Sequence, residues 1–181
     1  MSRRDQLLAE AARLFAARGF HGASIEDLGA AVGISGPGVY KHFPSKDAVL
    51  GEMLVGISRR LLDGGRREVE QAADDDDALE RLVAAQTAFA LTEPELIRVQ
   101  DRDLANLSAE RAREVRRLQR AYVEVWVGVL TRLRPDLPLP DARTAAHAAF
   151  GLLNSTPYSA SPRREVLQEM ALAALRRVVA P

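Results

Sequence analysis

The sequence has no cysteine among its 181 residues, which excludes disulfide and thiolate chemistry and fits a reducing cytoplasm. Aromatic residues make up only 5% of the chain, with a single tryptophan. No apolar run approaches the roughly 20 residues that a membrane-spanning helix needs. The first 15 residues are charged and lack the apolar core of a signal peptide. We therefore expect a soluble, cytoplasmic protein that does not enter a membrane.

The sequence also lacks the residue patterns of common catalytic and metal sites. The three histidines, His21, His42 and His147, form no pair at metal-binding spacing. No glycine-rich loop follows a strand pattern, and there is no nucleophile elbow. The acidic run from Asp74 to Asp77 lacks the central glycine and terminal glutamate of a calcium loop, so we interpret it as a charged linker that favours the N-terminus of the next helix. We expect no catalytic residues, no metal and no cofactor, and keep an α-helical enzyme as an alternative.

An excess of positive charge is missing as well. The chain has 25 basic and 25 acidic residues, a formal net charge of zero, whereas a DNA-binding domain is usually basic. The first 47 residues contain six basic and five acidic residues. If this protein binds DNA, we therefore expect modest non-specific affinity.

The most informative stretch is residues 24–46, which reads SIEDLGAAVGISGPGVYKHFPSK. Ser24 and Asp27 have the spacing of a capping box, which predicts the start of a helix. Gly33 ends that helix at a tight turn, and Ser35 is the expected cap of a second helix. A proline lies in the first turn of the second helix and another stops it. Two short helices joined by a tight turn indicate a helix-turn-helix DNA-binding unit.

The second of these helices has the composition of a DNA-reading element. Only Val39 and Phe43 are expected to be buried, which leaves polar and aromatic groups facing outward for phosphate and base-edge contacts. Lys46 is expected to place its ammonium beside free backbone N–H groups, where a phosphate binds. Arg3 and Arg4 could reach phosphate or the minor groove, although terminal arginines are commonly just solvated. The predicted DNA-binding residues are Ser24, Ser35, Gly36, Pro37, Tyr40, Lys41, His42 and Lys46.

In this stretch the sequence resembles the tetracycline-repressor (TetR) family of bacterial transcriptional regulators. Gly-Ile-Ser, Val-Tyr-Lys-His-Phe and Ser-Lys-Asp follow one another at the spacing of that family. The resemblance implies a homodimeric, ligand-responsive regulator, most often a repressor, that binds a near-palindromic site in double-stranded DNA. Gly36 and Gly38 stand where family members often carry a basic residue and a Thr or Ser, so Lys41 and backbone groups are expected to carry more of the base readout.

The remainder of the chain shows apolar residues at helical spacing and no strand pattern. We predict an all-α protein of about nine helices. Residues 1–47 are expected to form a three-helix DNA-binding domain. Residues 48–181 are expected to form a helical domain for ligand binding and dimerisation, as the resemblance implies.

Helix ends and a dimer interface can be predicted within the second domain. Gly64 and Gly65 mark the expected end of the long helix that leaves the DNA-binding unit. Thr92 and Glu95 have the spacing of a second capping box. A helix dense in small residues, at about 141–155, and the last helix are expected to pack with a second copy as a four-helix interface.

Polar and aromatic residues that interrupt apolar helical faces are the candidates for an effector site. The predicted ligand-binding residues are Phe89, Tyr122, Trp126, Asn154 and Tyr158. Gln86 and His147 are further interruptions, and an ordinary place in the core is the alternative for each. The composition favours an apolar or mixed effector, such as a fatty or aromatic acid or its thioester. A second alternative is a ligand-sequestering helical module that does not bind DNA.

Overall fold

The computed structural model describes residues 2–180, and in this range the chain forms nine α-helices, two short 3-10 helices and no β-strand. The helices are α1 (Arg3–Gly22), α2 (Ile25–Ala31), α3 (Gly36–Tyr40), α4 (Lys46–Glu70), α5 (Asp75–Thr92), α6 (Pro94–Asp103), α7 (Ala109–Leu133), α8 (Leu139–Leu153) and α9 (Arg164–Val179). The all-α prediction is confirmed. None of the helices in the described range combines the length and the hydrophobicity of a transmembrane span.

The chain divides into two compact units. The N-terminal unit comprises Met1–Ile57 and Glu95–Arg116, and the C-terminal unit comprises Ser58–Pro94 and Arg117–Pro181. Because α4 and α7 are each one continuous helix, each contributes to both units. The compact units therefore do not coincide with the boundary at residue 47, which we predicted on functional grounds and keep as a functional proposal.

The core of the N-terminal unit is built on one face of α1. Leu7, Ala11 and Phe15 are buried on that face at helical spacing. Gly19 has φ 78°, which only glycine adopts easily, and it bends the chain before the last turn of α1. The ring of Phe20 then packs edge-on against that of Phe15, with 5.6 Å between centroids. Phe20 thus folds back behind Gly19 into the core.

Serine caps mark the starts of the next three helices, which confirms the starts that we predicted for α2 and α3. The Asp27 N–H donates to Ser24 Oγ at 3.0 Å, and the Ser24 N–H donates to the Asp27 carboxylate at 2.9 Å. The hydroxyl oxygens of Ser35 and Ser45 accept from the N–H three residues onward, at 3.2 and 3.1 Å. Gly33 has φ 73° in the turn between α2 and α3, as its predicted role requires.

The predicted end of α4 is wrong. The helix continues through both glycines to Glu70. Gly65 is buried, and a Cβ there would lie 2.5 Å from Cε2 of Tyr122. Glycine is a poor helix former, but its missing side chain lets α4 approach the Tyr122 ring, and this packing keeps the helix intact.

Of the two helix starts predicted on either side of α5, the first is confirmed and the second is wrong. Asp74 caps α5 by accepting from the Asp77 N–H at 2.8 Å, and Asp75 pairs with Arg132 at 2.7 Å, so the predicted role of the acidic run at a helix N-terminus is confirmed. Thr92 does not cap α6. It is the last residue of α5, and its hydroxyl donates back to a carbonyl of its own helix at 2.8 Å.

Candidate nucleic-acid interface and effector site

The five-residue helix α3 presents the predicted DNA-reading side chains. Tyr40 is 53% exposed, and Ser35, Pro37 and Lys41 are also exposed, while His42 is half-buried just beyond the helix. Lys41 forms the C-cap of α3, so its side chain starts at the last turn of the helix. The short helix is held from behind by the buried Val39. The structure thus brings most of the predicted set to one exposed element.

Two members of the predicted set support the fold instead of facing outward. Gly36 is buried, and a Cβ there would lie 3.1 Å from Oε1 of Glu26. Its role is therefore close packing of α3 on α2, which corrects the outward orientation that we predicted. The hydroxyl of Ser24 is occupied by its bond of 2.7 Å to Asp27. Hydrogen bonds from the Ser24 backbone and side chain lower the pKa of Asp27 below its usual range.

The surroundings predicted for Lys46 are wrong. Its ammonium donates to the carbonyl oxygens of Phe20 and Ala23, at 2.7 and 2.8 Å, and lies 4.5 Å from the centroid of the Phe20 ring. Carbonyl groups at the end of a helix carry partial negative charge and lack helical partners, so they attract a cation strongly. Lys46 therefore joins the start of α4 to the end of α1.

The two N-terminal arginines are also engaged within the protein. Arg3 donates to the C-cap carbonyl of α2 at 2.7 Å. Arg4 donates from Nε to Oε1 of Glu52 at 2.7 Å, and its guanidinium lies 4.3 Å from the centroid of the Phe43 ring. These contacts tie α1 to the helix-turn-helix and to α4, which corrects the hypothesis that Arg3 and Arg4 reach the minor groove.

A polar chain crosses the core of the C-terminal unit. Tyr122 donates its hydroxyl to Oε1 of Gln86 at 3.1 Å, and Gln86 donates from Nε2 to Oδ1 of Asn154 at 2.8 Å. Tyr122 and Gln86 are buried, while Asn154 is the half-buried C-cap of α8. Burial raises the pKa of Tyr122 to about 12, so its hydroxyl stays protonated near neutral pH.

Three aromatic rings surround this polar chain. Phe150 lies 4.8 Å from Trp126 and 5.4 Å from Tyr122, measured between ring centroids. Trp126 is completely buried, and its Nε1 finds no hydrogen-bond partner between residues 2 and 180. A buried donor without an acceptor costs roughly 1–3 kcal/mol, so an acceptor brought by a ligand would be bound favourably here. We name Tyr122, Trp126, Phe150, Gln86 and Asn154 the ring cluster.

Two of the predicted effector residues are not part of the ring cluster. Tyr158 is 71% exposed, because its segment is anchored by its neighbours: Thr156 donates to the Ala90 carbonyl at 2.6 Å and Pro157 is buried. Phe89 is half-buried on α5. Conversely, Phe150 was missed by sequence reasoning. The available signal was a lone aromatic residue in a helix of small residues.

The helices α8 and α9 share an apolar groove. A cavity of about 150 Å³ is lined by Ala145, Ala148, Leu152, Ala174, Leu175 and Val178. Beside it, Val166 is 44% and Met170 is 54% exposed. Both side chains lie on α9, and apolar side chains exposed beside a groove are typical of a surface on which proteins associate.

Comparison with known proteins gives matches in both halves of the chain. Residues 7–53 match the family model "Bacterial regulatory proteins, tetR family", and residues 72–158 match the model "Tetracyclin repressor-like, C-terminal domain". The transcriptional repressor KstR2 of Rhodococcus jostii is 32% identical over 129 residues, which are 71% of this chain and 63% of the repressor. The aligned region is thus less than two thirds of that relative.

Solved structures show the same fold. A TetR-family regulator from Bordetella parapertussis superimposes with a TM-score of 0.86 at 25% identity, over 95% of this chain and 93% of that one. The regulator AibR, solved in complex with isovaleryl coenzyme A and operator DNA, superimposes with a TM-score of 0.80 at 18% identity, over 95% of this chain and 97% of that one.

Proposed function

This chain belongs to the TetR family of bacterial transcriptional regulators, and from that premise we propose that it is a homodimeric repressor released from a palindromic operator by an acyl-CoA thioester. The proposal is carried by the observation that one chain contains both an exposed helix α3 and a buried ring cluster in which the Trp126 donor has no acceptor. The first supplies a DNA-reading element and the second a ligand-binding core. Its place of action would be the cytoplasm, where the DNA is.

The DNA-reading residues that we propose are those exposed on and around α3. Lys41 and Tyr40 would contact base edges and phosphates, with His42 and the Ser35 hydroxyl beside them. Pro37 would pack against the DNA backbone. Ser24, Gly36 and Lys46 would act indirectly, because their contacts hold the helices that present α3.

The dimer interface that we propose is the groove of α8 and α9. Two copies of this helix pair would form a four-helix interface that covers Val166 and Met170. The small residues that line the groove allow a close approach of the helices. A symmetric dimer would set two copies of α3 about 34–36 Å apart, which is one turn of DNA.

The effector site that we propose is the ring cluster. The indole N–H of Trp126 and the amide of Gln86 would bond the thioester carbonyl, and the rings of Phe150 and Tyr122 would contact the acyl chain. Asn154 accepts a hydrogen bond from Gln86, so its side chain would move when the effector displaces Gln86. AibR, which shares the fold, was solved with an acyl-CoA. Of the five residues predicted from sequence, we keep Tyr122, Trp126 and Asn154.

A route for regulation follows from the order of the helices. Gln86 lies on α5, and a single residue, Glu93, connects α5 to α6. Within the N-terminal unit, Arg102 at the end of α6 pairs with the buried Asp103 at 2.9 Å and donates to the Phe15 carbonyl of α1. A displacement of α5 by the effector would thus reach α1 through α6. A coupling of about 1–3 kcal/mol would change DNA affinity roughly 5- to 150-fold.

The proposal is tested by selecting bound duplexes from a random DNA pool, with the oligomeric state measured at the same protein concentration. We expect a palindromic consensus bound by a dimer and released by micromolar decanoyl-CoA or isovaleryl-CoA. Lys41→Ala should relax sequence discrimination by about 1–3 kcal/mol. A protein that enriches no duplex at low salt would be a ligand-sequestering module instead.

A further inference from the structure

Solvent reaches the ring cluster at its two members from α8. Phe150 and Asn154 are half-buried, whereas Tyr122 is 6%, Gln86 1% and Trp126 0% exposed. The ring of Phe150 also contacts that of Trp126, with 4.8 Å between centroids. A molecule that approaches the unpartnered Nε1 of Trp126 from this side therefore meets Phe150 first.

Of the two α8 members, Phe150 is the one that can move without breaking a hydrogen bond. Asn154 accepts from Gln86 at 2.8 Å and is the C-cap of α8. Phe150 is held by ring contacts with Trp126 and Tyr122. Such contacts are satisfied by several ring arrangements, whereas a hydrogen bond weakens steeply when its angle changes. A displacement of Phe150 thus leaves the bond between Gln86 and Asn154 in place.

The ring of Phe150 has open space on its solvent side. His147 and Gly151 lie next to it on α8, both are exposed, and a Cβ at Gly151 would meet no atom within 4 Å. Helical spacing places Phe150 on the opposite side of α8 from Ala148 and Leu152, which line the groove shared with α9. The proposed dimer would therefore leave the ring uncovered. A helix allows a phenylalanine two χ1 wells, so the ring can turn out of the cluster toward this space.

The contact between α7 and α8 is made by side chains. α8 packs closely against α5 and α9, whereas it is joined to α7 by the ring of Phe150 and by the ion pair of Arg143 with Glu124, at 2.7 Å. Both partners of this ion pair are about half exposed, and exposed ion pairs contribute little to stability. The space between α7 and α8 can therefore widen without separating closely packed helix backbones.

We propose that the ring of Phe150 occupies the place of the effector's acyl group in the ligand-free protein, and that the effector binds by displacing this ring. The inference rests on the proposed function and names how the site opens and which residue limits the acyl chain that fits. The ring and an acyl chain are both apolar, so the site exchanges one apolar contact for another. The exchange is favoured by the thioester carbonyl, which supplies the acceptor that Nε1 of Trp126 lacks.

A ring that occupies the ligand's place lowers the apparent affinity for the effector. Only the fraction of molecules in which Phe150 is turned outward can bind, and the apparent affinity falls by that fraction. An ordinary core phenylalanine has the opposite effect, because its removal leaves a cavity and loosens the site. Truncating Phe150 therefore distinguishes the two roles by the sign of the change in affinity.

The test compares the full-length wild type with F150A, using L167A as the control. Leu167 is a half-buried apolar residue of α9 in the same unit, and it belongs neither to the ring cluster nor to the lining of the groove. F150L is a second variant, which retains an apolar side chain in case F150A folds poorly. Calorimetry would measure the binding of decanoyl-CoA. Acrylamide quenching of fluorescence without effector would measure access to Trp126, the single tryptophan of the chain.

We expect F150A to have a lower Tm and yet to bind decanoyl-CoA about tenfold more tightly than the wild type, which corresponds to about 1.4 kcal/mol. F150L should show a smaller gain in affinity. Without effector, acrylamide should quench Trp126 several-fold more strongly in F150A than in the wild type, because the ring that covers the indole is gone. L167A should lower Tm without changing either the quenching or the affinity.

Three outcomes would overturn the inference. If the wild type binds decanoyl-CoA and neither F150A nor F150L binds it more tightly, Phe150 is an ordinary contact of the site, while the effector class stands. Equal increases of quenching in F150A and L167A would show a general loosening of the unit in place of a specific opening at Phe150. If the wild type binds its operator but neither decanoyl-CoA nor isovaleryl-CoA, the proposed effector class itself is wrong, and the inference about the acyl group falls with it.

Discussion

Replacing Gly65 by alanine tests how closely α4 packs against the ring cluster. In an exposed helix position this change stabilises a protein by up to about 1 kcal/mol, since alanine is the better helix former. At Gly65 the new Cβ would lie 2.5 Å from Cε2 of Tyr122, well inside van der Waals contact. The ring is buried and its hydroxyl is bonded to Gln86, so it cannot swing away freely. Overpacking costs roughly 1–3 kcal/mol, and a weakened hydrogen bond adds about 0.5–1.5 kcal/mol.

The net expectation for Gly65→Ala is a loss of about 1–3 kcal/mol, with Tm lower by roughly 2–4 °C for each kcal/mol in a chain of this length. The matched control is Gly56→Ala on the same helix, where no atom lies within 4 Å of the new Cβ. The control should raise Tm slightly. Both variants would be measured by thermal and urea denaturation at one protein concentration, because dimerisation shifts apparent stability. If Gly65→Ala stabilised the protein as much as Gly56→Ala, the inferred contact with Tyr122 would be wrong.

Four further predictions follow from individual contacts. Ser24→Ala should cost about 1 kcal/mol at pH 7. Because the pKa of Asp27 is lowered in the folded state, its contribution is present above about pH 4 and is lost as the pH falls further, so urea denaturation should show a smaller effect of Ser24→Ala at pH 3. Lys46→Met should lower the free energy of unfolding by roughly 1–3 kcal/mol, because it leaves two carbonyls unpaired. The slope of log DNA affinity against log salt concentration should not change. A slope smaller by about one would instead indicate that Lys46 contacts a phosphate. Met170→Asp should shift the dimer to monomers in sedimentation experiments, and an intact dimer would place the interface elsewhere. Gln86→Leu should weaken decanoyl-CoA binding about tenfold, which corresponds to the free energy of roughly one hydrogen bond. An affinity equal to that of the wild type would exclude Gln86 from the proposed effector site.

Much of the DNA-binding unit could be predicted from the sequence because its signals are local. The capping box of Ser24 and Asp27, the cap of Ser35 and the turn at Gly33 each depend on residues within four positions of one another. Family membership also confirms the prediction of a regulator and not an enzyme. The errors in this unit concern partners distant in sequence. Lys46 bonds to carbonyls 23 and 26 residues earlier, and Arg4 bonds to a carboxylate 48 residues later.

The proposed effector site was predicted less completely, because its members come from three helices. Tyr122 and Trp126 share a face of α7 and could be found from helical spacing. Their bond to Gln86 joins residues 36 apart, and the bond from Gln86 to Asn154 joins residues 68 apart. Tyr158 was selected for its polar neighbourhood, but the anchoring of the adjacent Thr156 to α5 turns it outward.

Sequence patterns alone were enough to find the helical segments, the starts of α2 and α3, and the scarcity of core residues in α3. Those properties depend on backbone conformational preferences and on hydrogen bonds within a turn or two of the chain. Which charged side chains form contacts within the fold depends instead on how the helices pack. A lysine or arginine in a sequence has the same chemistry everywhere, but Arg4 and Lys46 find acceptors within the fold, whereas Arg117 and Arg120 find none within the described residues. Charge available for a ligand is what remains after the fold has satisfied its own polar groups, and that remainder depends on contacts between residues far apart in the chain.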